Sequence, residues 1–122
     1  MANEMTQTAS VACLQRGGLG FIELSKPERF NCLSKSMFGA IEAALDQFEQ
    51  DTAVRAVVLT AQGKNFCTGA ELDEVDAVSG SEDQLREFLE FGHRVLCRFE
   101  ASPLPIVAAV QGLCLAGGLE LA

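Results

Sequence analysis

The sequence predicts an α/β fold, with helices covering a sheet built from short apolar strands. Three observations predict it. Met37, Phe38, Ile41, Leu45 and Phe48 recur at helical spacing, and so do Leu85, Phe88, Leu89, Gly92, Leu96 and Phe99. Each of these segments is followed by a short apolar run, at 54–60 and 106–110, of the length and composition of a buried strand. Gly, Pro and Ser clusters separate the segments, so helix and strand alternate along the chain.

The elements follow in order. Residues 1–10 read as a flexible polar lead-in. The apolar stretches 11–14 and 21–24 flank RGGLG at 16–20 and read as a hairpin. SKPERFN at 25–31 is a polar loop leading to Ser34, whose hydroxyl suits a helix N-cap. The first helix then runs to about residue 50. The strand 54–60 carries Val57, Val58 and Leu59 as one continuous apolar core, which fits a parallel sheet covered by helices. Residues 61–75 read as a loop rich in small residues, and 76–84 as a polar surface loop. The second helix begins near Gln84 and stops before SPLP, where two prolines end it. After the strand 106–110 come Gly112 and LCLAGGLELA, where a helix opens and the chain stops. That ending reads as a truncation of a single domain spanning 11–122, with no repeat and no linker.

Composition narrows the function. Of 122 residues, 48% are hydrophobic, enough for a core, and the formal charge is −8, which argues against a nucleic-acid partner. An anionic ligand stays possible, because backbone N–H groups can hold one. The N-terminus lacks the basic start and apolar run of a signal peptide, and no run approaches the ~20 apolar residues of a membrane span, so a cytoplasmic protein is expected. Five cysteines without a CxxC pair read as small buried hydrophobes in a reducing compartment. His93 is the one histidine, so neither a His-based metal cluster nor a Ser-His-Asp triad can form, and on a helix it reads as structural.

Two loops could carry chemistry. Thr68-Gly69-Ala70 and Ala116-Gly117-Gly118 each follow a strand, where ligands collect in open α/β sheets. Small residues there let a ligand approach the backbone. Two N–H groups converging from separate loops can hold negative charge developing on a carbonyl oxygen, one such donor being worth roughly 3–4 kcal/mol. On composition alone these glycines read at least as readily as tight-turn and close-packing positions. There is no GxGxxG, and GKN at 63–65 lacks the Walker A frame. Glu120 falls in the first turn of the last helix among Leu119, Leu121 and Ala122. Apolar surroundings favour its use in proton transfer, whereas a helix N-terminus stabilises its anion. Glu71, Asp73, Glu74 and Asp76 form a charge run of solvated type, with Glu71 placed to shape the loop after Ala70.

ELSKPERFNCLS at 23–34, DTAVRAVVLTAQGKNFCTGAELDEV at 51–75, SPLPIVAAVQG at 102–112 and LAGGLELA at 115–122 together resemble the enoyl-CoA hydratase/isomerase (crotonase) family over roughly residues 10–122. The resemblance implies a crotonase-like β/α spiral core, incomplete at its C-terminus, that binds an acyl-CoA substrate. Coenzyme A is then part of the substrate, and no separate cofactor or metal is implied. The family's two oxyanion donors map onto the N–H groups of Ala70 and Gly117. Glu71 stands where the family usually has aspartate, and Ala116 where it often has the first of three glycines. Glu120 matches the first of two glutamates that activate water in hydratases; the second lies some twenty residues beyond. Lys26, Arg29, Phe30, Cys67, Thr68 and Ala70 match positions along the CoA moiety. The implied reaction is hydration of a 2-enoyl-CoA to the 3-hydroxyacyl-CoA, by a homotrimer or hexamer of the full-length protein. Double-bond isomerisation or another thioester reaction of the family is the alternative, and a truncated inactive fragment is a third reading.

Overall fold

The computed structural model describes residues 10–122 in full and residues 5–7 by their backbone. Five strands form one mixed sheet in sequential order: β1 (Met5–Gln7), β2 (Val11–Arg16), β3 (Leu19–Leu24), β4 (Ala56–Ala61) and β5 (Ile106–Ala108). The first three pair antiparallel, and β3–β4 and β4–β5 pair parallel. Four helices accompany them: α1 (Lys35–Gln50), α2 (Leu72–Val78), α3 (Glu82–Glu100) and α4 (Gly117–Leu121). The flexible lead-in expected at 1–10 falls largely on residues 1–4, 8 and 9, outside the described residues, while Met5–Gln7 pair with β2.

The expected hairpin forms as β2–β3, closed at Gly17, whose φ of 59° is left-handed. Period-two burial places Gly20, Ile22 and Leu24 on one face of β3. Val57 and Leu59 are fully buried on β4, but Val58 is only half-buried. The continuous apolar run is therefore a strand more deeply covered on one face than on the other.

Ser34 caps α1 as expected, its Oγ accepting from Met37 N at 3.0 Å. Met37, Ile41 and Leu45 are inaccessible to solvent and join Ile22, Leu24 and Leu59 in the core. Each such side chain contributes roughly 1.5–3 kcal/mol of burial. Gly20 makes room for Phe48: a Cβ there would stand 2.8 Å from the ring.

The helix α3 starts at Glu82, two residues before the expected start, because Ser81 accepts from Gln84 N. Its apolar residues divide into two faces. Phe88, Gly92 and Val95 are buried, and Gly92 lets Phe38 of α1 approach to within 3.0 Å of where a Cβ would be. Leu89, at 59% exposure, and Leu96 turn toward the site described below. Arg94–Glu42 and the Arg98 pairs with Asp46 and Glu49 bind α3 to α1; exposed pairs of this kind add about 0–1 kcal/mol each.

Two departures bear on the site. The stretch read as loop at 61–75 and 76–84 contains α2, a two-turn helix with no buried residue. No apolar periodicity marks it, because polar contacts hold it: the Glu74 carboxylate accepts from Lys35 N at the start of α1. The cysteines are all free thiols, and Cys13, Cys32 and Cys67 are buried as expected, but Cys97 is exposed on α3. Among the described residues no helix is long and apolar enough to cross a membrane.

Candidate functional site

The site is built where three loops meet at the C-terminal ends of β3, β4 and β5. The loop after β3 is folded by Pro27–Arg29 as a single 3₁₀ turn, and then by Phe30 and Asn31 with φ of 56° and 51°. Consecutive left-handed residues are costly for side chains other than Asn and Gly. Asn31 repays the cost with four bonds. Its Nδ2 donates to the carbonyls of Gln62 and Asn65, both at 2.9 Å, its Oδ1 accepts from Lys26 N, and its N–H donates to Lys26 O. This side chain is 1% exposed and ties the first loop to the second.

The second loop joins the third. Phe66 N donates to Gln111 O at 2.8 Å, Leu115 N to Cys67 O at 3.0 Å, and Gln111 Nε2 to Ala61 O at 2.7 Å. Asn65 Oδ1 accepts from Leu113 N. Single parallel bridges, Leu33 with Ala70 and Cys67 with Cys114, set the segment 67–70 between its two neighbours.

These bonds bring Ala70 and Gly117 together. A Cβ built on Gly69 would stand 3.1 Å from Gly117 N, and one on Gly117 would stand 3.7 Å from Ala70 N. Gly69 adopts a φ of 106°, open to glycine alone, so the close approach and the backbone turn both require it. The N–H groups of its neighbours are used: Leu33 N donates to Gly69 O, Glu71 N to Leu33 O, and Gly118 N to Leu115 O. Among the described residues, the N–H groups of Ala70 and Gly117 donate to no protein acceptor. Two orphan donors side by side are an anion-accepting arrangement.

Ala116 precedes them at φ 46°, ψ −123°, a region that L side chains rarely occupy. It caps the five-residue helix α4, which carries Glu120 in its first turn, exposed to solvent.

The donors stand between two clefts. One, of about 590 Å³, is lined by Glu28, Arg29, Phe30, Cys32, Thr68, Leu72 and Asp73 together with Ala70 and Ala116. The other, of about 370 Å³, is lined by Leu33, Phe38, Phe88, Leu89, Gly92 and Leu96, with His93, Glu120, Ala70, Ala116 and Gly117. The first carries the charged side chains of Glu28, Arg29 and Asp73 and is the more polar of the two, and the second is mostly apolar.

Of the residues singled out from sequence, Ala70, Gly117 and Glu120 thus meet at one place, and Arg29, Phe30 and Thr68 line the adjoining cleft. Lys26 does not line it; its Nζ lies 3.8 Å from Glu71. Cys67 lies beneath the loop, fully buried, and burial pushes its thiol up to about 11. Arg29 is engaged: Nη2 donates to Glu71 Oε1 at 2.6 Å and to Asp73 Oδ2 at 2.7 Å, and these carboxylates raise its pKa further. Glu71 does shape the loop, through this pair rather than as a helix cap.

Sequence reasoning missed Asn31 and His93. His93, read from sequence as structural, is exposed on α3 and lines the apolar cleft. Its spacing from Leu89 and Leu96 was the available signal.

This arrangement has relatives. The sequence profile of the enoyl-CoA hydratase/isomerase family matches residues 15–122. The chain is 38% identical over 92 residues to a probable enoyl-CoA hydratase of Bacillus subtilis (strain 168), covering 75% of this chain and 35% of that one. It is 37% identical over 106 residues to cyclohexa-1,5-dienecarbonyl-CoA hydratase of Thauera aromatica, covering 87% and 39%. The crystal structure of an enoyl-CoA hydratase/isomerase from Xanthobacter autotrophicus Py2 superposes with a TM-score of 0.89 at 34% identity, covering 94% of this chain and 43% of that one. The chain thus spans less than half the length of these relatives. With the profile matched along nearly the whole chain, and with the fold matched as well, the chain belongs to the enoyl-CoA hydratase/isomerase family.

Proposed function

We propose that this chain forms the thioester-binding half of an acyl-CoA-processing enzyme, and that its reaction is hydration of a 2-enoyl-CoA. The observation that carries the reading is the pair of unpartnered N–H groups, Ala70 and Gly117, at the junction of a polar and an apolar cleft. The thioester carbonyl oxygen accepts from both. Its polarisation makes the β-carbon electrophilic, and the donors hold the enolate charge as water adds, each worth about 3–4 kcal/mol in a closed site. The acyl group lies in the apolar cleft, and the CoA portion follows the polar one along Phe30 and Thr68. For Arg29 to meet a CoA phosphate it exchanges the exposed Asp73 for it, which surface pairing permits at small cost.

Glu120 lines the apolar cleft beside Gly117, which supports its use as an acid/base group for the added water. Val107, Val110, Leu113, Leu115 and Leu119 are each at least 45% exposed, which supports their burial by further protein, as in the trimer or hexamer that the family resemblance implies.

The test is Glu120→Gln. Hydration of crotonyl-CoA is expected to fall about 10²–10⁴-fold, with thioester binding retained. Unchanged turnover overturns the assignment. Turnover of a 3-enoyl-CoA in preference to crotonyl-CoA would assign the site to isomerisation instead.

A further inference from the structure

We infer that His93 selects the acyl group, favouring chains that carry an uncharged oxygen substituent such as a hydroxyl or carbonyl. The inference rests on the reading of the apolar cleft as the acyl site. Among the described residues, that cleft of about 370 Å³ holds only two titratable side chains, His93 and Glu120. Its α3 wall also carries Phe88, Leu89, Gly92 and Leu96; Leu89 and Leu96 stand four residues before and three after His93, so these three project from one side of the helix.

The helix cannot turn His93 away. Gly92 is packed against the Phe38 ring and Val95 is inaccessible to solvent, so the rotation of α3 is set by the residues on either side. Among the described residues the imidazole has one hydrogen-bond partner, Cys97 Sγ at 3.7 Å from Nε2, and sulfur is a weak partner. The other ring nitrogen is left to meet a ligand. A second cleft of about 460 Å³ shares His93, Leu96 and Glu120 with the first, so the imidazole stands on the boundary between the two. An acyl chain extending beyond the carbonyl meets it there. A carboxylate on that chain would face Glu120 in the same cleft, so an uncharged oxygen is the substituent accepted.

Binding of two saturated thioesters, butanoyl-CoA and 4-hydroxybutanoyl-CoA, tests this without any turnover. The hydroxylated ligand is expected to bind more tightly to the wild-type protein. His93→Leu is expected to cut that preference, the ratio of the two affinities, about tenfold, and His93→Gln, which keeps a donor, to preserve most of it. His93 is exposed, so both variants are expected to fold. An unchanged ratio in His93→Leu overturns the inference. Failure of crotonyl-CoA hydration with the preference intact would leave it standing and remove the hydratase reading alone. Failure of either thioester to bind would remove both.

Discussion

The two orphan donors sit side by side but are held by different physics. Ala70 hangs from the packed half of the molecule. Leu33 on one side and Phe66 and Cys67 on the other are fully buried, and the core beneath them runs through Ile22, Leu59 and the inner face of α1. Gly117 belongs to the half formed by β5 and α4, where Val107 is 61% and Leu119 65% exposed. Apolar burial in that half is confined to Leu121, with Ile106, Ala108 and Cys114 partly buried against the core. What fixes it is absence of side chain: Gly112 lies against Lys64 O and Asn65, Gly118 lies against Cys67 O, and Ala116 is forced to a left-handed φ. One donor is positioned by a core and the other by backbone contact and strain, so substitutions in the two halves should differ in kind.

The largest effect is expected from Gly118→Ala. Its new Cβ would overlap the Cys67 carbonyl, a backbone atom with no freedom to move. A loss of about 3 kcal/mol or more, read from the urea midpoint, is expected. A near-neutral result would mean that α4 is not seated on the second loop and would remove the contrast. Next is Asn31→Ala, on the packed side. It leaves the Gln62 and Asn65 carbonyls without their donor in a buried site and places alanine at a φ of 51°. About 2–3 kcal/mol is expected, measured by thermal or denaturant unfolding. The smallest effect, and the one of opposite sign, is expected from Ala116→Gly. Relief of the left-handed conformation outweighs the added freedom of the unfolded chain, for a gain of about 1 kcal/mol. Destabilisation by this change would show that the Ala116 methyl, against which Gly69 packs, matters more than its backbone angle.

The helices and strands with apolar periodicity were legible because periodicity is a property of the sequence itself. Ser34 as the cap of α1 was legible for the same reason, a local bond between neighbours. The helix α2 was not, since its supports are Lys35 on α1 and Arg29 on the first loop, 39 and 44 residues from their partners. Boundaries of β4 and β5 shifted by up to two residues, because pairing across the sheet ends a strand and a single run cannot indicate it. Phe30 and Thr68 were found through a resemblance, and both line the polar cleft. Cys67 came with them from the same motif but is buried beneath the loop, and only packing separates it from its neighbour.

By itself, the sequence determined the α/β class, the family and the two glycine-bearing loops, and it pointed to Ala70, Gly117 and Glu120 as candidates. Each of these is written in local order: periodicity, turn residues and motif spacing. Only the tertiary structure decided that the Ala70 and Gly117 N–H groups are neighbours and unpaired, that Arg29 is held by Glu71 and Asp73, that Asn31 is the bond between loops, and that His93 faces the apolar cleft. Those facts depend on which segments the sheet and the α1–α3 contact bring together across tens of residues, and a hydrogen bond left unmade is visible only once every competing acceptor has been placed.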